Sequence, residues 1–252
     1  MLDRSRARKA RFSPPALDRK ASAVFLDLDG TIAEIVARPD EVGPDALLTS
    51  ILERLCVTME GRVAVLTGRL LEDADRILEG RIASVAAVHG LVRRMPDGFV
   101  AKYPGSPKLV EAKRLLLAFA HAQYGLVIED KGLSMALHYR QVPQAERAVR
   151  AATERIARAS GLTVQAGSMV SEVRTPGPDK GDSLKEFLNV TPFAGRMPVM
   201  VGDDLTDEHA FGAAEEMGGY GILVGRPRHT AARYRLASVA EVRSWLAAGA
   251  RI

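Results

Sequence analysis

Asp27 and Asp29 stand one residue apart at the end of a short apolar run, AVFLDLDG (23–30), and Gly30 then lets the chain turn. In an open α/β sheet ligands bind just outside the carboxyl ends of the strands, so a strand that runs into carboxylates and a glycine is where reactive groups are expected. Two carboxylates so spaced can divide a transfer reaction. One attacks, and the other, offset along the turn, hands a proton to the leaving group.

Three further apolar runs end in the same way: VAVL in Thr67-Gly68-Arg69, VAAV in His89-Gly90, and VMV in Gly202-Asp203-Asp204. Converging strand ends would bring these groups together. Asp27 and Asp203 could then share Mg²⁺, a hard cation usually held by one or two carboxylates, waters and phosphate oxygens. Lys180-Gly181 precedes a helix, whose free N–H groups and dipole favour an anion. With the hydroxyl and N–H of Thr67, that lysine would neutralise phosphoryl oxygens in flight. Singly, each piece is ordinary turn or loop chemistry. Their ordered combination points to phosphoryl transfer.

The elements that must position these residues are legible as short apolar runs alternating with helical patterns, the mark of a parallel sheet covered by helices. AVFLDLDG (23–30), RVAVLTG (62–68), SVAAVHG (84–90), MPVMVGDD (197–204) and YGILVG (220–225) read as strands with their turns. Helices are expected over 45–59, 70–78, from Gly181, over 206–217 and over 237–249, the last with Trp245 packed on the body. Between 92 and 175 the order changes to helix, strand, strand, helix, strand, strand, and the first helix is expected to open with Ser106 as N-cap and Pro107 at N1. The strands there, near 126–130, 133–140, 162–166 and 169–174, alternate polar and apolar residues, which suits an antiparallel sheet with one open face. The predicted fold is therefore α/β: a Rossmann-like parallel-sheet core made of residues 21–91 and 176–252, with an α/β cap inserted at 92–175.

At 252 residues, 47% hydrophobic and 26% charged, the composition is that of a globular chain with room for one or two domains. Residues 1–20 hold seven Lys and Arg against two Asp, a surplus larger than the whole chain's formal net charge of +4, so the remainder is slightly acidic. A flexible basic tail over 1–20 is expected, and no general basic field for nucleic acid. The tail lacks the apolar core of a secretory signal, and no apolar stretch is long enough to span a membrane. A cytoplasmic monomer with no membrane partner is the expectation. Cys56 is the single cysteine, which excludes an intramolecular disulfide and a cysteine-based zinc site.

DLDGT (27–31), LTG (66–68), DKG (179–181) and GDDLTDE (202–208) together resemble the four motifs of the haloacid dehalogenase superfamily. That resemblance implies Asp27 as nucleophile, Asp29 as general acid then base, and Thr67 and Lys180 as phosphate ligands. It further implies Mg²⁺ bound by Asp27, Asp203 and the backbone carbonyl of Asp29, with Asp204 and Asp207 supporting the metal site. A carboxylate at position 29 favours phosphoryl transfer, since members with other chemistries commonly lack one there. Within the superfamily, FLDLDGTIAEI (25–35), LTGR (66–69), VHG (88–90), KGLSMALHYR (131–140), SEVRTPGPDKG (171–181) and GDDLTDEHAF (202–211) are similar to trehalose-6-phosphate phosphatases. The resemblance implies a small sugar phosphate as substrate and hydrolysis of trehalose 6-phosphate through an aspartyl-phosphate intermediate.

Alternation puts Ser134, His138 and Arg140 on one face of their strand, with Glu172 and Arg174 on one face of theirs. With Lys131 these supply the mixed donors and acceptors a polyhydroxyl ligand needs, and Arg69 and His89 are the candidate substrate contacts from the core. Alternatives are another sugar-phosphate phosphatase or phosphomutase of the superfamily, and a non-catalytic sugar-phosphate binder. A binder has no need of a nucleophile beside an acid.

Overall fold

The computed structural model describes residues 12–250 and the backbone of Arg8 and Lys9. The chain divides into a large unit, residues 12–36, Val42–Lys102 and 178–250, and a small unit, Ala37–Glu41 and Tyr103–Gly177. In chain order the first pass through the large unit gives β1 (Ser22–Leu26), α1 (Ala46–Thr58), β2 (Val63–Leu66), α2 (Leu71–Leu78), β3 (Ser84–Ala87), β4 (Val92–Arg94) and β5 (Val100–Lys102). The small unit contributes α3 (Leu109–His121), β6 (Val127–Asp130), β7 (Ser134–His138), α4 (Glu146–Ser160), β8 (Thr163–Gly167) and β9 (Val170–Arg174). The chain then completes the large unit with α5 (Lys180–Leu188), β10 (Met197–Gly202), α6 (Glu208–Glu216), β11 (Tyr220–Val224), β12 (Tyr234–Leu236) and α7 (Val239–Gly249).

The large sheet has eight strands in the order β12-β11-β10-β1-β2-β3-β4-β5. From β12 to β3 they run parallel. Every residue of β1, β2, β3 and β11 is buried, as a parallel sheet covered on both faces requires. One face packs Phe25 against Phe187 and Phe193, with ring centroids 5.5–6.3 Å apart. The chain begins mid-sheet at β1, moves outward through β2 and β3, and returns on the other side of β1 as β10. The order therefore reverses between β1 and β10, and a crevice opens at the carboxyl ends of strands at such a switch point. Helix starts are fixed by local chemistry: Asp45 accepts from the N–H groups of Leu47 and Leu48 at the head of α1, and Asp179 forms a capping box with Asp182 on α5.

Residues 92–102, expected within the inserted segment, form the hairpin β4–β5, which adds antiparallel strands to the edge of the large sheet beside β3. Their charged residues break the apolar continuity that marked the other core strands. A forked pair of 2.7 Å bonds from Arg94 to Asp75 ties β4 to α2. Residues 12–20, expected within the flexible tail, are held on the large unit. Leu17 is buried, the carbonyl of Arg19 accepts from Arg62 at 2.7 Å, and that of Pro15 accepts from Trp245 Nε1 at 2.9 Å. The rest of the expected tail lies outside the described residues, apart from the backbone pairing of Arg8–Lys9 with His229–Thr230.

In the small unit an antiparallel sheet ordered β6-β7-β9-β8 carries α3 and α4. Leu109 and Leu116 from α3, Val149 and Ile156 from α4, and Met135, Leu137 and Val173 from the sheet form one core. Helix α3 begins later than expected. Pro107 and Lys108 make a turn, the carbonyl of Ser106 accepts from Leu109 N–H at 3.0 Å, and no side chain caps the helix. Among the described residues no helix is long and apolar enough to cross a membrane.

Candidate active site

The reversal between β1 and β10 sets Asp27 beside Asp203. The N–H of Asp27 donates to the carbonyl of Val201 at 2.9 Å, which extends the ladder to the last residue before the turn. Gly30, with φ of +82°, lets the loop after β1 lie against the β10 loop: a Cβ there would come 2.3 Å from Asp203 Oδ2. Only a residue without a side chain fits both the left-handed backbone and this approach.

Lys180, at the start of α5, is buried and donates to Asp27 Oδ1 at 2.6 Å and to Asp207 Oδ1 at 2.7 Å. Asp207 uses its other oxygen to accept from the N–H groups of Asp203 and Asp204, both at 3.0 Å, so it shapes the β10 loop. Asp204 caps that loop's short turn by accepting from Leu205 N–H at 2.7 Å. Thr31 Oγ1 lies 3.3 Å from Asp27 Oδ2 and 3.4 Å from Asp203 Oδ1.

The electrostatics are those of crowded carboxylates around one ammonium. Burial pushes Asp27 well above the ordinary carboxylate range; Lys180 opposes this, and Asp207 and Asp203 reinforce it. Burial, followed by the charges of Asp207 and Asp204, pushes Asp203 up to about 7. For Lys180, burial disfavours the charge, but Asp207 and Asp27 outweigh it and its pKa is raised. Asp27, Asp203 and Asp207 each offer an oxygen within 4.8 Å of the others. An all-oxygen acidic set in which burial makes Asp27 and Asp203 resist ionisation fits a hard divalent cation.

Asp29, the second carboxylate of the strand end, is gripped by Arg69: Nε donates to Oδ2 and Nη2 to Oδ1, both at 2.7 Å. Arg69, expected as a substrate contact, is thus brought to the proposed acid. Thr67 is buried after β2, and its Oγ1 accepts from Arg69 N–H at 3.1 Å. His89 follows β3 in a left-handed backbone with φ of 54°, next to Val88 at 47°. Left-handed φ is rare for β-branched residues and costs of order 1–3 kcal/mol per residue. Two bonds hold this turn: Val88 N–H to Arg69 O and His89 N–H to Thr67 O, each 2.9 Å. The His89 ring lies over Gly68, where a Cβ would meet it at 2.5 Å.

In the small unit the sheet register puts Glu172 opposite Ala136 and Arg174 opposite Ser134. Lys131 Nζ lies 2.8 Å from Glu172 Oε2 and 3.6 Å from Glu129 Oε2, and His138 Nε2 lies 2.8 Å from that same Glu129 oxygen. Lys131, Ser134, Glu172 and Arg174 are buried. Arg140 stands apart from this set, with Nη2 donating to Ser168 O at 3.1 Å.

Several participants escaped the sequence reading. Glu129 and Gln165 share the row of Ala136 and Glu172; the strand near 126–130 was expected to alternate, but VIED (127–130) is two apolar residues followed by two acidic ones, so alternation could not assign Glu129 a face. Thr31 stands inside a quoted motif, and its hydroxyl was the signal. Arg228 donates to the carbonyls of Asp203 (3.2 Å) and Asp204 (2.8 Å) and pairs with Glu208, which also accepts from Ala231 N–H at 2.7 Å. That arginine sits in a loop with no local pattern.

Known proteins resemble this chain in sequence and in fold. The trehalose-6-phosphate phosphatase of Escherichia coli (strain K12) is 37% identical over 227 residues, covering 89% of this chain and 85% of that protein. A solved trehalose-6-phosphate phosphatase related protein superposes with a TM-score of 0.73 at 29% identity, covering 88% of this chain and 94% of the other. A phosphatase of the haloalkanoate (HAD) superfamily from Bacteroides thetaiotaomicron shares the fold, with a TM-score of 0.61 at 15% identity over 92% of this chain and 95% of the other. The family model for trehalose-phosphatase matches residues 25–240. The chain therefore belongs to the trehalose-phosphatase family of the haloacid dehalogenase superfamily, and it is a phosphatase.

Proposed function

We propose that this phosphatase hydrolyses trehalose 6-phosphate to trehalose and phosphate, with Asp27 as a covalent nucleophile and Mg²⁺ as cofactor. The observation that carries the reading is the buried Asp27–Lys180–Asp207 chain with Asp203 alongside and Asp29 two residues on. Such a set can attack phosphorus, balance charge and move a proton. The E. coli relative's substrate supplies the choice of sugar.

Asp27 attacks phosphorus and the bond from phosphorus to the sugar oxygen breaks. The electron pair stays on that oxygen, which takes the proton of Asp29, so trehalose leaves as a neutral alcohol. Asp29, now a carboxylate, takes a proton from water as the water oxygen attacks the phosphoryl group. The bond to Asp27 breaks, phosphate departs and both aspartates are restored. Lys180 and the N–H and hydroxyl of Thr67 hold the phosphoryl oxygens during both steps. Asp27, Asp203 and the Asp29 carbonyl would hold Mg²⁺, which supplies positive charge against the phosphoryl oxygens. In the small unit, Lys131, Ser134, His138, Glu172 and Arg174 are proposed to read the sugar hydroxyls.

The test is phosphate release from trehalose 6-phosphate, glucose 6-phosphate, sucrose 6-phosphate and mannose 1-phosphate, with Mg²⁺ and with EDTA. Trehalose 6-phosphate should have the highest kcat/KM, and EDTA or Asp27→Asn should abolish turnover. Preference for another sugar phosphate would reassign the substrate. Turnover retained in a folded Asp27→Asn protein would remove the covalent mechanism.

A further inference from the structure

We propose that Arg69 is a positioning residue for Asp29 and that it serves departure of the leaving group, not capture of the phosphoryl group. The inference rests on the reading of Asp29 as proton donor given above. Arg69 and Asp29 meet in two parallel bonds of 2.7 Å. A fork of this kind fixes both the direction and the plane of the carboxylate, which a single bond from an ammonium would not do. The Arg69 side chain is 9% exposed and that of Asp29 33%. The clamp is thus sheltered while the clamped group keeps an open side. Each carboxylate oxygen has two lone pairs and gives one to the fork, so a place for the transferable proton remains.

The clamp is itself anchored. Arg69 N–H donates to Thr67 Oγ1, and Arg69 O accepts from Val88 N–H. Val88 and His89 hold left-handed backbone that residues with a side chain rarely adopt, and they do so through bonds into the 67–69 loop. Strain of this kind persists only where the surroundings over-determine it. The loop after β3 thus sets the loop after β2, and the latter sets a side chain on the loop after β1.

Proton transfer is sensitive to such placement: a misplacement of about 1 Å can cost about 10²-fold in rate. The loss must depend on the leaving group. A sugar alkoxide needs the Asp29 proton as its bond to phosphorus breaks, whereas p-nitrophenolate leaves as a stable anion without it. An arginine that held the phosphoryl group would matter equally for both, because both esters present the same phosphate.

The experiment measures kcat/KM for wild type, Arg69→Ala, Arg69→Lys and Asp29→Asn on p-nitrophenyl phosphate and on the sugar phosphate preferred in the panel above. Thermal unfolding serves as the check on folding. For Arg69→Ala the expected loss is about 100-fold on the sugar phosphate and under about 10-fold on p-nitrophenyl phosphate. Asp29→Asn should show the same bias more strongly, and Arg69→Lys, which keeps the charge without the fork, should lie between and carries the test where the alanine variant loses its fold. Equal losses on both substrates, or no loss on either, overturn the proposal. If Asp29→Asn itself shows no leaving-group bias, the proton-donor reading fails, and the Arg69 assignment falls with it.

Discussion

Lys180→Met removes the ammonium that bridges Asp27 and Asp207, and its cost can be worked from the geometry. The lysine makes bonds of 2.6 Å and 2.7 Å to Asp27 and Asp207 in a buried site. Removing one partner of a buried ion pair typically costs about 3–5 kcal/mol, because the other partner is left buried without compensation. Here the penalty has a partial escape. Burial and the neighbouring Asp207 and Asp203 already push Asp27 towards its neutral form against the opposing pull of Lys180, so proton uptake should hold the loss near the lower limit, about 3 kcal/mol. At roughly 2–4 °C per kcal/mol for a chain of this size class, the melting temperature should fall by about 6–12 °C in EDTA. Methionine matches the lysine stem in length, so little of the loss should come from packing. Calorimetry or circular dichroism at neutral pH gives the shift, and Mg²⁺ at millimolar concentration should return part of it by supplying charge to the same carboxylates. Adding Asp207→Asn to the lysine variant should also recover stability, since one uncompensated carboxylate is removed. A melting temperature within about 2 °C of wild type in EDTA would refute the premise that Lys180 offsets buried carboxylate charge at this site.

Glu172→Ala should lower kcat/KM on trehalose 6-phosphate by roughly ten- to several-hundred-fold, from about 1.5–3 kcal/mol for each lost charge-assisted bond, and should spare p-nitrophenyl phosphate; equal losses would assign Glu172 to the packing of Lys131 instead. The hydrogen bond to Asp179 raises the pKa of His209 above its ordinary value. Its stabilisation is therefore fully present below the unfolded histidine's pKa of about 6.5 and lost as pH rises through the higher folded value. The melting-temperature gap between wild type and His209→Gln should accordingly be widest in mild acid and shrink on the alkaline side, and a gap that is constant with pH would contradict the pairing. Deleting residues 1–20 removes buried Leu17 and the carbonyl that Arg62 uses, so stability should drop by about 2–3 kcal/mol; unchanged thermal unfolding would mean that these contacts contribute nothing.

The small unit shows where sequence reading reached its limit. Alternation in β7 and β9 separated the polar face from the core face, and the register agrees: Ser134 pairs with Arg174, while Met135 and Leu137 turn to the helices with Val173. The same alternation suggested an open surface, yet Ser134, Glu172 and Arg174 are buried. A period of two says which residues share a face and nothing about what covers it. The β4–β5 hairpin was assigned to the insert because polar edge strands lack the apolar run that identifies a covered one.

The sequence by itself determined which groups can react and at which strand ends they stand. An apolar run that breaks into Asp, Thr or His beside a glycine is a local pattern, set by a few adjacent residues. It also determined the α/β class, through the alternation of such runs with helical periods. Which of these groups touch was decided only by tertiary structure. Lys180 lies 153 positions from Asp27, and the two meet because the strand order reverses between β1 and β10, carrying α5 and the β10 loop to the β1 turn. Arg69 likewise became the clamp on Asp29 because β2 lies next to β1 and the bent turn after β3 holds the loop between them. Pairing partners and strand order are long-range properties of the whole sheet, and a pattern read a few residues at a time does not contain them.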